Sequence, residues 1–172
     1  MDCCGCPEST ERDRAASPQE NPSPPQCPQD QSQGKPVKLI TLKSLLMPQA
    51  LERLNAQASY RFCHSVDCPI VYFSTAGDTF TTDDLKVPVF QKNPGQGVPI
   101  CYCFDWTRQR LQQDLEQQEQ TSAIAAITAH IQAGRCGCEV NNPQGSCCLK
   151  NVHDYIFENG NTSNPKSPHE RA

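Results

Sequence analysis

Twelve cysteines in 172 residues dominate the chemistry available to this chain. Cys101-Tyr102-Cys103 opens a stretch that closes with Cys136, Cys138 and the adjacent pair Cys147-Cys148. Cys63 and Cys68 form a second set, with Cys27 alone upstream of them and Cys3, Cys4 and Cys6 at the start of the chain. Cys-x-Cys and Cys-Cys pairs close poorly on themselves as disulfides, because disulfide geometry is restrictive, but they suit a metal that several thiolates must surround. The chain opens without an apolar signal region, and no run reaches the ~18 apolar residues of a membrane span. The expected setting is therefore the cytoplasm, where thiols stay reduced and cysteine clusters read as metal sites.

A [2Fe–2S] cluster needs four thiolates. Cys101 and Cys103 are two, placed to present their sulfurs in one direction between a strand and a helix. The closing segment must supply two more. Cys136 competes with Cys138 for the third place and Cys147 with Cys148 for the fourth; Cys138 and Cys148 are favoured. Gly134, Gly137 and Gly145 let the backbone approach such a cluster.

The elements that must position these residues follow from the patterning. The Pro-, Ser-, Gln- and Glu-rich start cannot offset its ordering entropy by burial, so residues 1–26 are expected to be a flexible tether. Leu42, Leu45 and Leu46 follow a helical period, with Thr41 a candidate cap. A second short helix is expected near residues 48–56, with Pro48 in its first turn. Residues 59–62 and 70–73 read as strands, and Cys63 and Cys68 in the turn between them look like half of a zinc site. Phe80 and Val87–Phe90 continue the β-like material, and residues 93–97 read as a linker. After Cys103, Thr107 caps a helix that Trp106 and Leu111 staple. Thr121 or Ser122 caps the next helix, which carries Ile124, Ile127 and Ile131 on one stripe and stops at Gly134. Asn142-Pro143-Gln144-Gly145 fits a type I turn, and Leu149, Val152 and Ile156 belong to a final helix.

The fold class is therefore α+β. A small β-rich zinc module, residues 27–93, is followed by a mostly helical [2Fe–2S] module, residues 98–157. Residues 158–172 form a polar tail expected to be disordered.

The run Cys101-Tyr102-Cys103-Phe104, a helical pair, and then Cys138-Glu139-Val140-Asn141-Asn142-Pro143-Gln144-Gly145-Ser146-Cys147-Cys148-Leu149 resembles the N-terminal region of the CopZ family of copper chaperones. It resembles more distantly the bacterioferritin-associated ferredoxin-like [2Fe–2S] domain. Tyr60-Arg61-Phe62-Cys63, followed by Cys68-Pro69-Ile70-Val71-Tyr72-Phe73, resembles that family's zinc module. The likeness covers about residues 27–157. It implies one [2Fe–2S] cluster and one mononuclear zinc, the latter on Cys27, Cys63 and Cys68. Two departures stand out. Beyond the cluster region the chain has no Cys-x-x-Cys loop and ends soon after, so a counterpart of the family's copper-binding domain is not expected here. The family's paired-cysteine knuckle is replaced by Cys27-Pro28-Gln29-Asp30, which leaves one zinc ligand open. Cys4 is favoured for it, with Cys3 or Cys6 as alternates, and Asp30 and His64 as further candidates. His130, His153 and His169 are read as surface residues.

The expected function is a one-electron carrier with a structural zinc, linked to copper or other soft-metal handling. Its partner would be a redox protein or a metal transporter or chaperone. The alternative is a metal chaperone or sequestering protein that uses the cysteine-rich start without a redox role. A net charge of −4 with no basic stripe argues against nucleic acid. The patterns of nucleophilic triads, paired carboxylates, phosphate loops and zinc-protease helices are missing, so an enzyme is not expected.

Overall fold

The computed structural model describes residues 25–117 and 121–160. Most of the expected tether, with Cys3, Cys4 and Cys6, and most of the expected tail lie outside these residues.

Four short strands build one antiparallel sheet in sequence order: β1 (Lys35–Val37), β2 (Tyr60–Phe62), β3 (Ile70–Ser74) and β4 (Thr79–Thr81). β3 is buried along its whole length. Its run of β-branched and aromatic residues suits a strand covered on both faces. α1 (Leu39–Leu45) and α2 (Pro48–Leu51) connect β1 to β2. Leu42, Leu46, Phe62, Val71, Tyr72, Phe80 and Val89 close the core between helix and sheet.

Three local expectations change. α1 starts at Leu39, and Thr41 is buried inside it rather than capping it. α2 ends at Leu51, short of the expected residue 56. Val87–Phe90 forms no strand; Pro88 offers no N–H to a ladder, and the segment is fastened by side chains instead.

The second half pairs β5 (Pro99–Cys101) with β6 (Trp106–Thr107) and continues into α3 (Arg108–Gln117) and α4 (Ala123–Gln132). The Thr107 hydroxyl accepts from the Arg110 N–H at 3.1 Å, as an N-terminal cap should. At the start of α4 the Thr121 hydroxyl accepts from the Ala123 N–H at 3.2 Å, as expected, and a residue of α3 adds to the cap. Asp114 on α3 accepts from the Ser122 N–H and from the Thr121 and Ser122 hydroxyls. Gly134 ends the helix with φ of 65°, the left-handed conformation glycine adopts without strain. α5 (Cys138–Asn141) and α6 (Leu149–Gly160) complete the chain. Ile100, Leu111, Ala123, Ile127 and Val152 form a second core, which also takes in Cys101, Trp106 and Cys148. Among the described residues no helix is long and apolar enough to cross a membrane.

Candidate metal centres

The first centre grows out of the β2–β3 hairpin and the turn that precedes β1. Cys63 follows β2, and its N–H donates to the Val71 carbonyl at 2.9 Å; Cys68 precedes β3. Cys27 begins a tight turn in which its N–H donates to the Ser32 carbonyl at 2.8 Å. The Gln31 N–H donates back to the Cys27 carbonyl at 2.9 Å. Gln31 is left-handed there, with φ of 61°, and Asp30 Oδ1 accepts from the Ser32 N–H. The turn thus aims Asp30 at the hairpin.

One ligand atom from each of Cys27, Asp30, Cys63 and Cys68 lies within 4.8 Å of all the others. The three thiols are buried and Asp30 is exposed. Cys27 Sγ and Cys68 Sγ are 3.7 Å apart. Zn–S bonds of about 2.3 Å in a tetrahedron imply a sulfur–sulfur edge of about 3.8 Å. Cys63 Sγ stands 3.6 Å from Asp30 Oδ2, against about 3.5 Å for a tetrahedral sulfur–oxygen edge. The donor set and its spacing fit one zinc ion. Lys92, from the segment joining the two halves, closes the site behind. Its ammonium donates to the Ser65 and Cys68 carbonyls at 2.7 and 2.8 Å and stands 3.9 Å from Cys63 Sγ.

Proton affinities differ within this set. Burial pushes the Cys27 thiol up to about 12 and raises Cys68 too. At Cys63 burial acts the same way, but the Ser32 hydroxyl, the Ser65 backbone and the Lys92 charge outweigh it and lower the thiol. A hydrogen bond from the Ser65 side chain, joined by Ser32, holds Asp30 well below the usual carboxylate range.

The second centre assembles Cys101 at the end of β5, Cys103 in the following turn, Cys138 at the start of α5 and Cys148 just before α6. Cys103 Sγ and Cys138 Sγ are 3.7 Å apart. Cys103 Sγ also accepts from the Gly137 N–H at 3.4 Å and from the Asn141 amide at 3.7 Å. Cys148 lies near enough to Cys101 and Cys138 to interact with both electrostatically. Cys101 and Cys148 are buried, whereas Cys103 and Cys138 are half-buried. Hydrogen bonds from Cys148, Cys103 and Cys147 lower the Cys138 thiol to about 6 against its burial. Cys148 moves strongly upward, chiefly through its bond to Cys101, which lowers Cys101 in turn. Burial raises Cys103 to about 11. The fit to a thiolate-bound cluster rests on this donor set: four sulfurs converge, and N–H groups already point at one of them.

Cys136 and Cys147 are both exposed. Cys147 reaches Cys138. Of the other candidates for the fourth zinc ligand, His64 is not in the first group; it lines an open cleft with Phe90 and Arg108. Cys4, Cys3 and Cys6 lie outside the described residues, and Asp30 occupies the fourth corner. Its signal was the Cys27-x-x-Asp30 spacing, which reproduces a two-cysteine knuckle with a carboxylate in place of the second thiol. Lys92 was missed altogether, since a lone lysine in a linker carries no motif.

Comparison with known proteins gives an independent view. Residues 24–86 match the CopZ family model described as a zinc binding domain. That match takes in all four residues of the first centre and stops before Cys101. A comparison with curated protein sequences finds no match. The X-ray structure of the Archaeoglobus fulgidus CopZ N-terminal domain is similar, with a TM-score of 0.64 and 27% identity. The likeness covers 75% of this chain and 95% of that one. Residues 24–86 are thus similar to the CopZ zinc-binding domain, and the chain is similar in fold to a CopZ N-terminal domain.

Proposed function

We propose that the chain is a two-centre metalloprotein that carries single electrons in the handling of copper or another soft metal. Zinc sits at Cys27, Asp30, Cys63 and Cys68 in this reading, and a [2Fe–2S] cluster at Cys101, Cys103, Cys138 and Cys148. The observation that supports it is the contrast in sulfur spacing. The first set is compact enough for one ion. The second set gathers four sulfurs, with Cys103 and Cys138 3.7 Å apart, yet among the described residues it forms no second group with all its donors within 4.8 Å of one another, in keeping with a cluster that spans two iron atoms.

Zinc has no redox chemistry, so its part is to hold the first half folded. A [2Fe–2S] cluster would supply a one-electron couple. The chain's own contribution is to gather the thiolates, direct the Gly137 N–H and the Asn141 amide at Cys103, and leave that edge partly open to a partner. The partner is a redox protein or a metal transporter or chaperone, the setting is the cytoplasm, and the chain has no catalytic role of its own.

Anaerobically purified protein is expected to be red-brown, with about two iron, two sulfide and one zinc per chain. Reduction by dithionite should bleach it and produce an EPR signal. A colourless protein that holds zinc alone refutes the electron-carrier reading and leaves a zinc-binding domain.

A further inference from the structure

The two centres occupy separate stretches of sequence, but the side chains that fasten them cross between the halves. Tyr72 lies on β3, downstream of Cys68, and is fully buried. Its hydroxyl donates to the Pro143 carbonyl at 2.8 Å, in the turn between Cys138 and Cys148. Lys35 on β1 donates to the Ser146 hydroxyl at 2.8 Å, and Lys38 pairs with Glu139. Gln91 donates to Gln144, whose own amide holds the Ser146 and Cys147 carbonyls. Gly145, with φ of 64°, lies so close to the first half that a Cβ there would stand 3.1 Å from Thr41 Oγ1 and 3.3 Å from Val37 Cγ1.

A second tie runs the other way. Tyr102 sits between Cys101 and Cys103. Its hydroxyl donates to the Pro88 carbonyl and accepts from the Phe90 N–H, both at 2.8 Å. That segment leads directly to Lys92 and so to Cys63. Both ligand-bearing segments of the second centre are therefore bonded to the half that carries the first.

We propose that Tyr72 and Tyr102 are positioning residues that join the two centres into one cooperative unit, so that a metal ion at the first stabilises the thiol arrangement at the second. The naming of the metals rests on the function proposed above; the ties themselves are protein contacts. Among them Tyr72 carries most of the effect. The exposed Lys38–Glu139 pair is of the kind worth little, whereas deleting the Tyr72 hydroxyl strands a carbonyl in a buried turn. By reciprocity, occupancy of the second centre must then strengthen metal retention at the first.

The test uses the full chain, zinc-loaded and free of iron, with the alkylation rate of each cysteine by iodoacetamide read by peptide mass spectrometry at fixed pH. Cys148 is 2% exposed, so its rate reports opening of the closing segment. Tyr72→Phe is expected to speed alkylation of Cys148 about tenfold, with zinc content and the rate at exposed Cys136 unchanged. Tyr102→Phe is expected to act in the same direction. A Cys148 rate equal to that of the unsubstituted protein in both variants overturns the proposal. So does loss of zinc from both, which would reduce the tyrosines to core packing. In the iron-loaded protein Tyr72→Phe should also shift the EPR g-values of the reduced state, which core packing remote from the thiols would leave alone. A colourless protein refutes the cluster reading only; the alkylation rates still decide the coupling.

Discussion

At Cys27, Asp30, Cys63 and Cys68 every donor atom is a neighbour of every other. At Cys101, Cys103, Cys138 and Cys148 one pair of sulfurs, Cys103 and Cys138, stands 3.7 Å apart, and Cys148 interacts electrostatically with Cys101 and Cys138. Both sets contain four donors, three thiols and a carboxylate in the first and four thiols in the second, so the number of donors does not distinguish them. Mutual distance does. The two sets also differ in construction. The first is made within one hairpin and one turn. The second draws on the ends of a strand and two helices, and depends on the other half of the molecule to hold its closing segment.

Replacing one donor in each centre should produce the largest effects and the clearest asymmetry. Cys63→Ser is expected to abolish zinc binding and melt the four-stranded sheet, because metal binding at a structural zinc site is folding free energy on the order of 10 kcal/mol. Metal analysis and a far-UV melting curve read this outcome. Cys138→Ser is expected to abolish visible absorbance while zinc stays bound, and Cys136→Ser to change neither. Loss of zinc from Cys138→Ser would show that the first centre needs the second for its metal, and not only for added strength of binding.

A smaller effect separates them by pH. Cys27 and Cys68 are both raised by burial, so each holds its proton at neutral pH in the metal-free chain and must release it to bind metal. Zinc affinity should therefore rise at least about 100-fold per pH unit near pH 7 as those two protons are lost, and fall correspondingly on acidification. Titration against a competing chelator at several pH values measures the slope. A slope near zero would mean the thiols are already ionised.

The smallest effect lies outside both metals. Burial acts to raise Asp84, but Arg53 and the Thr81 N–H outweigh it and lower the carboxylate. Its contribution is thus complete above the ordinary carboxylate pKa and is lost as pH falls through the lower folded value. Asp84→Asn is expected to cost about 1 kcal/mol at pH 7. In denaturant titrations that difference should shrink towards zero at a pH below the folded value. Asp114→Asn at the start of α4, lowered by Thr121 and Ser122, should repeat the pattern in the second half.

Much of this arrangement is legible in the sequence, since its main carriers are local. The hairpin strands follow from runs of aromatic and β-branched residues, the α3 cap from Thr107, and the end of α4 from Gly134. The pairing of Cys101 and Cys103 with the closing segment follows from strand, turn and helix order, whereas Cys138 over Cys136 and Cys148 over Cys147 are preferences among open alternatives. What sequence does not carry is partnership across distance. Asp114 caps a helix that begins after a break in its own, which no nearest-neighbour signal announces. Thr41 has the residue type of a cap, but lies within α1 with its hydroxyl buried and unpartnered among the described residues. Tyr72 reads as one more buried strand aromatic; that its hydroxyl answers a carbonyl far along the chain is a fact of packing alone.

Lys92 has a consequence of a different kind. Three thiolates and one carboxylate around a divalent ion leave two negative charges in a largely buried place. The Lys92 ammonium is the nearby cation that offsets them, and it spends its donors on Cys63 and two carbonyls of the same hairpin. Acylation of that single amine would remove the counter-charge and the three contacts at once. The segment between the two centres would come loose from the first while every ligand remained in place and Tyr72 still held the closing segment, so Lys92 and Tyr72 serve the two centres separately.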